Sequence, residues 1–206
     1  MAVLMTIWGA AVQQILLVYT ALLISVVLGI FLAVISLYSK IFAKTIMTFA
    51  NLAQAVPTFA IVAIVVPLIG IGFWPAIIAI MLRALLPIVK NTWIGLSDID
   101  YSLIDSGMGS GLTDWQIIKY IRFPYAYPAI FSGVKFAAIL ANSIAILTAI
   151  IGSGGLGSII FEGLANMNIS KMMSAVIPAI IIALFLEFSL TYLEKKVVSP
   201  GLTQDT

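Results

Sequence analysis

A chain of 206 residues that is 63% hydrophobic and 9% charged, with a mean hydropathy of +1.20, lies far outside the composition of soluble domains and reads as an all-α integral membrane protein. The formal net charge of +2 and the absence of cysteine and histidine set aside nucleic-acid binding, disulfides, thiol and imidazole catalysis and the common zinc ligand sets. Most enzyme classes fall with them.

Runs of about twenty apolar residues predict five crossings, at residues 15–37, 46–69, 74–94, 128–150 and 173–193. Residues 1–14 lie at the interface or extend the first helix; they lack the basic flank and small-residue cleavage site of a removable signal peptide and are expected to stay in the mature chain. Lys40, Lys44, Lys90, Lys119, Arg122, Lys195 and Lys196 fall on one side of the predicted topology and Lys171 on the other. The positive-inside rule then places the N-terminus outside and the C-terminus in the cytoplasm. The whole chain, 1–206, reads as one transmembrane domain with a cytoplasmic loop at 95–127, an external loop at 151–172 and a short polar tail at 199–206.

The 95–127 segment is too polar to cross a bilayer and too long for a tight turn, so it predicts a structured cytoplasmic loop of two short helices. Ser97 is the expected cap of the first, with Asp98 and Asp100 near its N-terminus. Thr113 and Gln116 have the spacing of a capping box for the second, and Pro124 is expected to stop it. Trp115, Ile118 and Ile121 recur at three-residue intervals and predict a short apolar stripe. Gly107, Gly109 and Gly111 would let the chain turn sharply between the helices. Without the glycine spacing, an amphipathic helix lying on the membrane surface would be an equal reading; the glycines and the Ile121–Pro124 ending shift the balance away from it.

The stretch DSGMGSGLTDWQIIKYIRFP, from Asp105 to Pro124, resembles the cytoplasmic signature of bacterial ABC-importer permeases, E-A-A-x-x-x-G followed nine residues on by I-x-L-P. Asp105, Ser106 and Gly107 stand at E-A-A, Gly111 at the glycine, and Ile121, Phe123 and Pro124 at the ending. Residues 54–72, 75–96 and 151–164 extend the resemblance toward osmoprotectant permeases, which import glycine betaine, carnitine or choline. The resemblance implies an ABC type I importer architecture in which this loop docks on an ATPase subunit. Asp105, Gly107, Gly111, Ile121 and Pro124 are then matched contact or shape positions, with Thr113, Trp115 and Ile118 beside them. Methionine-type permeases carry a similar loop and a similar Gly-Gly-Leu-Gly piece, so a methionine or other small-solute permease stays an alternative. A secondary transporter working without ATP is the more distant one.

Polar residues inside the spans need partners or a water-filled path. Asn51, Gln54 and Pro57 interrupt the second span and Asn142, Ser143 and Thr148 the fourth; each either bonds neighbouring helices or lines the path. Lys135 and Glu187 lie at matching depths and are expected to pair. Arg83 lies deep in the third span, where it is either paired or meets the carboxylate of a zwitterion such as betaine or carnitine, which makes choline the poorer candidate. Trp8, Trp74 and Trp93 fit an aromatic belt at the membrane boundaries.

Gly152-Ser153-Gly154-Gly155-Leu156-Gly157 satisfies G-x-G-x-x-G, but it follows a membrane helix, with Lys171 near the place of the required acidic residue. It predicts a tight external turn into a half-helix at 158–164. No P-loop sequence occurs. No catalytic, cofactor or metal residue is expected in this chain; ATP and Mg are expected on a partner. The resemblance implies two ATPase subunits, a second permease that is a copy or a sibling, and an external substrate-binding protein.

Overall fold

The computed structural model describes residues 2–198, which are almost wholly helical, with no strand among them. Four helical stretches are each long and apolar enough to cross a bilayer. They contain α1 (Ala2–Ser36), α4 (Phe73–Ser97), α7 (Phe123–Leu147) and α9 (Ile169–Val197). The crossing expected over residues 46–69 is a broken one. It consists of α2 (Lys40–Ala55) and α3 (Thr58–Ile69), roughly 24 Å and 18 Å long at 1.5 Å per residue, each short of the roughly 30 Å hydrocarbon core. The break follows from Pro57. A residue before proline is driven out of the α region, and Val56 is extended at φ −69°, ψ 127°.

Residues 2–14 extend the first helix without interruption. α4 is the centre of the molecule, packed between α1 and α7. Apolar side chains gain little by leaving lipid, so membrane helices associate through close backbone approach at small residues. Accordingly Ala76, Ala79 and Ala84 of α4 and Ala137, Ala141 and Ala145 of α7 are buried. The α4–α7 seam is tight at Gly95, where a Cβ would stand 2.7 Å from Ala129 Cβ, and at Gly133, where one would stand 2.9 Å from Asn91 Cβ and 3.0 Å from the Pro87 carbonyl oxygen. α9 flanks α7, and α8 (Leu156–Ala165) packs on α9 at the opposite end from the 98–122 loop.

Several expectations are corrected. Lys135 pairs with Glu194 at 2.8 Å, not with Glu187. The depths of Lys135 and Glu187 agree, but a lysine and a glutamate both lower their solvation cost by reaching toward the interface, and Glu194 lies about two turns nearer to it. Glu187 is half-buried, with no hydrogen bond or ion pair among the described residues. Trp8 and Trp74 project outward as a belt would require, whereas Trp93 packs against the core. Lys171 is paired with Glu162. The tail expected at 199–206 lies outside the described residues.

Candidate functional site

The loop after α4 contains α5 (Tyr101–Gly109) and α6 (Asp114–Ile117). Ser97 does not cap α5: it ends α4, and its hydroxyl donates to the Trp93 carbonyl at 2.7 Å. Asp100 is the cap, accepting from the Ser102 amide at 2.9 Å, and that bond holds the Asp100 carboxyl below its ordinary pKa. Asp100 directly precedes α5, where an Asx side chain can reach the first free amides, and Ser97 stands too far back to do so.

α5 ends in a Schellman turn. Gly111, at φ +83°, donates its amide to Met108 O at 2.9 Å, and Leu112 donates to Gly107 O at 3.1 Å, satisfying carbonyls that the helix end would leave bare. The capping box of α6 is present as expected: Gln116 N–H donates to Thr113 Oγ1 and Thr113 N–H to Gln116 Oε1.

Of the three glycines, only Gly111 turns the chain. Gly107 is buried inside α5, and a Cβ there would stand 2.6 Å from Ile121 Cδ1. Gly109 is helical and open to solvent. The expected Trp115–Ile118–Ile121 stripe is split, because a π turn over Ile118–Arg122 rotates the later residues about the helix axis. Ile117 and Ile118 are buried and Trp115 is exposed.

Pro124 does not stop the helix. The Phe123 amide reaches back to Ile118 O; this wider turn makes room for a proline ring that would collide with the i−4 carbonyl of a regular helix. The helix therefore runs from Asp114 to Ile151, tightening to a 3-10 turn at its end. Arg122 donates to Leu96 O and ties the π turn to the end of α4. Asp105, Thr113 and Trp115 remain on the outer surface.

The polar residues of the spans separate into two places. At the α2–α3 break, Arg83 Nη1 donates to Gln54 O at 3.1 Å and Val56 O at 3.2 Å. A guanidinium thus caps carbonyls that Pro57 leaves without helical donors, at the negative end of the α2 dipole. Gln54, Arg83, Pro87, Phe136 and Leu140 line a cavity of about 190 Å³ beside it. One turn below Gln54, Asn51 Oδ1 accepts from Lys90 Nζ at 3.3 Å. Ser143 is exposed on α7, its hydroxyl donating to Ile139 O.

Asn142 lies elsewhere. It is buried and binds helices together, donating to Ala179 O at 3.2 Å and accepting at Oδ1 from Gln14 Nε2 at 3.0 Å. Gln14 is fully buried, and its neighbour Gln13 accepts the Gly155 amide at 3.1 Å. Sequence reasoning passed over both glutamines, although two amides in an apolar run were signal enough. Thr148 is buried and accepts from Ser153, within the turn formed by Gly152, Gly154 and Gly155 at φ +77° to +78°.

Residues 25–199 match the family described as the binding-protein-dependent transport system inner membrane component. The chain is 37% identical over 184 residues to the carnitine transport permease protein OpuCB of Listeria monocytogenes, covering 87% of this chain and 84% of that one. It is also 37% identical, over 87% of this chain and 85% of the relative, to the glycine betaine/carnitine/choline permease OpuCB of Bacillus subtilis. Among solved structures, the methionine ABC transporter MetNI in an inward-facing conformation superposes with a TM-score of 0.82 at 17% identity, covering 97% of this chain and 98% of that chain. At that identity the likeness concerns the fold.

Proposed function

Because this chain belongs to the family of inner-membrane components of binding-protein-dependent transport systems, we propose that its Asp105–Pro124 loop receives the stroke of a separate ATPase and passes it to the membrane helices. The chain is a multi-pass permease subunit of an ABC importer of the osmoprotectant class, with glycine betaine, carnitine or choline as substrates. It works with an ATPase and a substrate-binding protein.

The observation that best supports the docking assignment is mechanical. α6 runs through the π turn into α7 without a stop, so a displacement of Thr113 or Trp115 is carried along a stiff helix to Ser143. The loop is rigid on its own account: a Schellman turn, a capping box and the Gly107–Ile121 contact hold it. Exposed Trp115 offers the large, stiff aromatic surface that anchors protein interfaces. In this reading two ATPase subunits dock on the loop side, which is cytoplasmic with the C-terminus, and carry ATP and Mg. A second permease, a copy or a sibling, completes the path, and the binding protein docks on the outer side. Ser143 and the Gln54–Arg83–Phe136 cavity face that path, with Asn51 and Pro57 at its edge and Asn142 behind it as support.

The cavity carries a second reading, about substrate. Arg83 presents positive charge beside Phe136, an arrangement suited to a zwitterion, with its carboxylate toward the guanidinium and its trimethylammonium over the ring. A methionine importer is supported only by likeness of fold.

The test is uptake of labelled glycine betaine and carnitine, with choline and methionine as competitors, in cells lacking the chain and in cells with it restored. Loss and rescue of betaine or carnitine uptake is expected. Loss of methionine uptake alone would overturn the substrate and keep the architecture. Pull-down of the ATPase on wild type and Trp115→Ala then tests docking separately; equal recovery would remove Trp115 from the interface.

A further inference from the structure

Between the end of α1, the start of α2 and the end of α4 lies a cleft of about 540 Å³ whose lining includes Ser36, Lys40, Lys44, Trp93, Ser97 and Arg122, within the usual size range of ligand clefts. It is separate from the Arg83 cavity and meets the Asp105–Pro124 loop only at Arg122, and no carboxylate lines it. Three cations converge there. Lys40 and Lys44 make no hydrogen bond or ion pair among the described residues, and Arg122 is held at the rim by its bond to Leu96 O.

The placement of the lysines is also unfavourable for the helix that carries them. Both occupy the first turns of α2, after the Ser39 cap, and the first turn holds no acidic residue. The helix dipole already places positive charge at that end, so two lysines there raise the energy of α2 by repulsion. An anion in the cleft would offset this repulsion by its attraction to both lysines and to the helix end.

The surroundings indicate what carries the anion. Next to Lys40, α2 turns Ile41 outward, 82% exposed, so that a large apolar side chain stands beside the basic ones. Trp93, packed against the core on its other side, forms part of the cleft wall. A free ion has no use for the apolar flank. A lipid uses both parts: its phosphate with the cations and an acyl chain with Ile41.

We propose that this cleft binds the phosphate-bearing headgroup of an anionic phospholipid, held by Lys40, Lys44 and Arg122 with the acyl chains along α2. The bound lipid neutralises the start of α2 and braces the α1–α2 corner against the loop end of α4. The site is independent of the transported substrate, and of the docking loop it uses only Arg122.

The test uses the full chain purified in detergent and offered phosphatidylglycerol and phosphatidylcholine together, with bound lipid counted by mass spectrometry of the intact complex. The wild type is expected to retain phosphatidylglycerol preferentially. Lys40→Gln with Lys44→Gln should lower that preference about thirtyfold, the effect of two cations near an anionic headgroup. Lys40→Arg with Lys44→Arg should keep it, which separates loss of charge from misfolding. Lys195→Gln with Lys196→Gln, the same charge change outside the cleft, should leave the preference within about twofold of wild type.

An equal loss in the Lys195/Lys196 variant would mean that general surface charge, and no built site, recruits the lipid. Inorganic phosphate displacing phosphatidylglycerol as well as added lipid does would reassign the cleft to a free anion. An unchanged preference in the Lys40/Lys44 glutamine variant, or loss of ATPase recovery with lipid preference intact, would overturn the proposal outright, the second outcome in favour of protein docking.

Discussion

Gly107 and Ile121 touch across the two loop helices so closely that a single added methyl at Gly107 would stand 2.6 Å from Ile121 Cδ1. The contact determines how the 98–122 loop is clamped to the helix that enters the membrane. Two opposing effects bear on Gly107→Ala. Alanine favours the α5 helix by about 1 kcal/mol over glycine, while overpacking costs about 1–3 kcal/mol. A net loss of up to about 2 kcal/mol is expected. In an Ile121→Val background, which removes Cδ1, the same change should become stabilising by about 1 kcal/mol. Thermal unfolding of the four proteins in detergent gives the cycle; no change of sign would mean the contact is slack.

Gly111 behaves differently, because nothing lies within 4 Å of its missing side chain and its φ is +83°. Gly111→Ala should cost about 1–2 kcal/mol through the left-handed backbone alone and leave the ATPase bound. Gly111→Asp adds a charged group on the surface assigned to docking and should abolish both uptake and ATPase recovery, with membrane insertion intact. Normal uptake and co-purification of the Asp variant would place the interface elsewhere.

Arg83→Met removes the donor shared by Gln54 O and Val56 O. The two carbonyls are only partly shielded, and losing bonds from a charged donor costs about 1.5–3 kcal/mol, so the α2–α3 break should loosen and total uptake should fall. If the guanidinium also meets substrate carboxylate, betaine and carnitine uptake should fall several-fold further than choline uptake. A uniform fall across all three would assign Arg83 to the helix break alone. Betaine and choline transport both unchanged would remove either role.

Gln14→Leu should destabilise the protein by about 1–3 kcal/mol, since it strands Asn142 Oδ1 in a dry interface. Pairing it with Asn142→Leu should cost less than the sum of the single changes, because a pair of apolar residues leaves fewer unmet groups. Strict additivity in unfolding measurements would show that the two amides do not act as a unit.

Lys135 and Glu194 form a partly buried pair at 2.8 Å with side chains 22% and 19% exposed. Removing one partner leaves the other charge poorly solvated, so Lys135→Met should be more harmful than Lys135→Met with Glu194→Leu. Glu187→Gln should have a smaller effect than either, since Glu187 has no partner among the described residues. Unfolding midpoints of the four proteins check the order; equal midpoints for the single and double Lys135 variants would remove the pairing energy.

Local physics governed everything legible in the order of the residues. Hydropathy located the spans, Pro57 marked the break, Thr113 and Gln116 announced their capping box, and the glycines at 152, 154 and 155 announced an external turn, because each depends on neighbours within a few positions. The loop was legible for the same reason, and its letters also carried the family resemblance.

Contacts between distant segments decided the rest. Lys135 chose Glu194 over Glu187 because long side chains bend toward the interface. Pro124 continues a helix because a π turn precedes it, and Gly107 serves packing because Ile121 crosses it. Arg83 found the carbonyls freed by Pro57, 26 positions earlier, and Gln14 found Asn142 across 128 positions. In a bilayer a buried polar group takes whichever partner the packed helices bring within reach, and only the tertiary arrangement says which one that is.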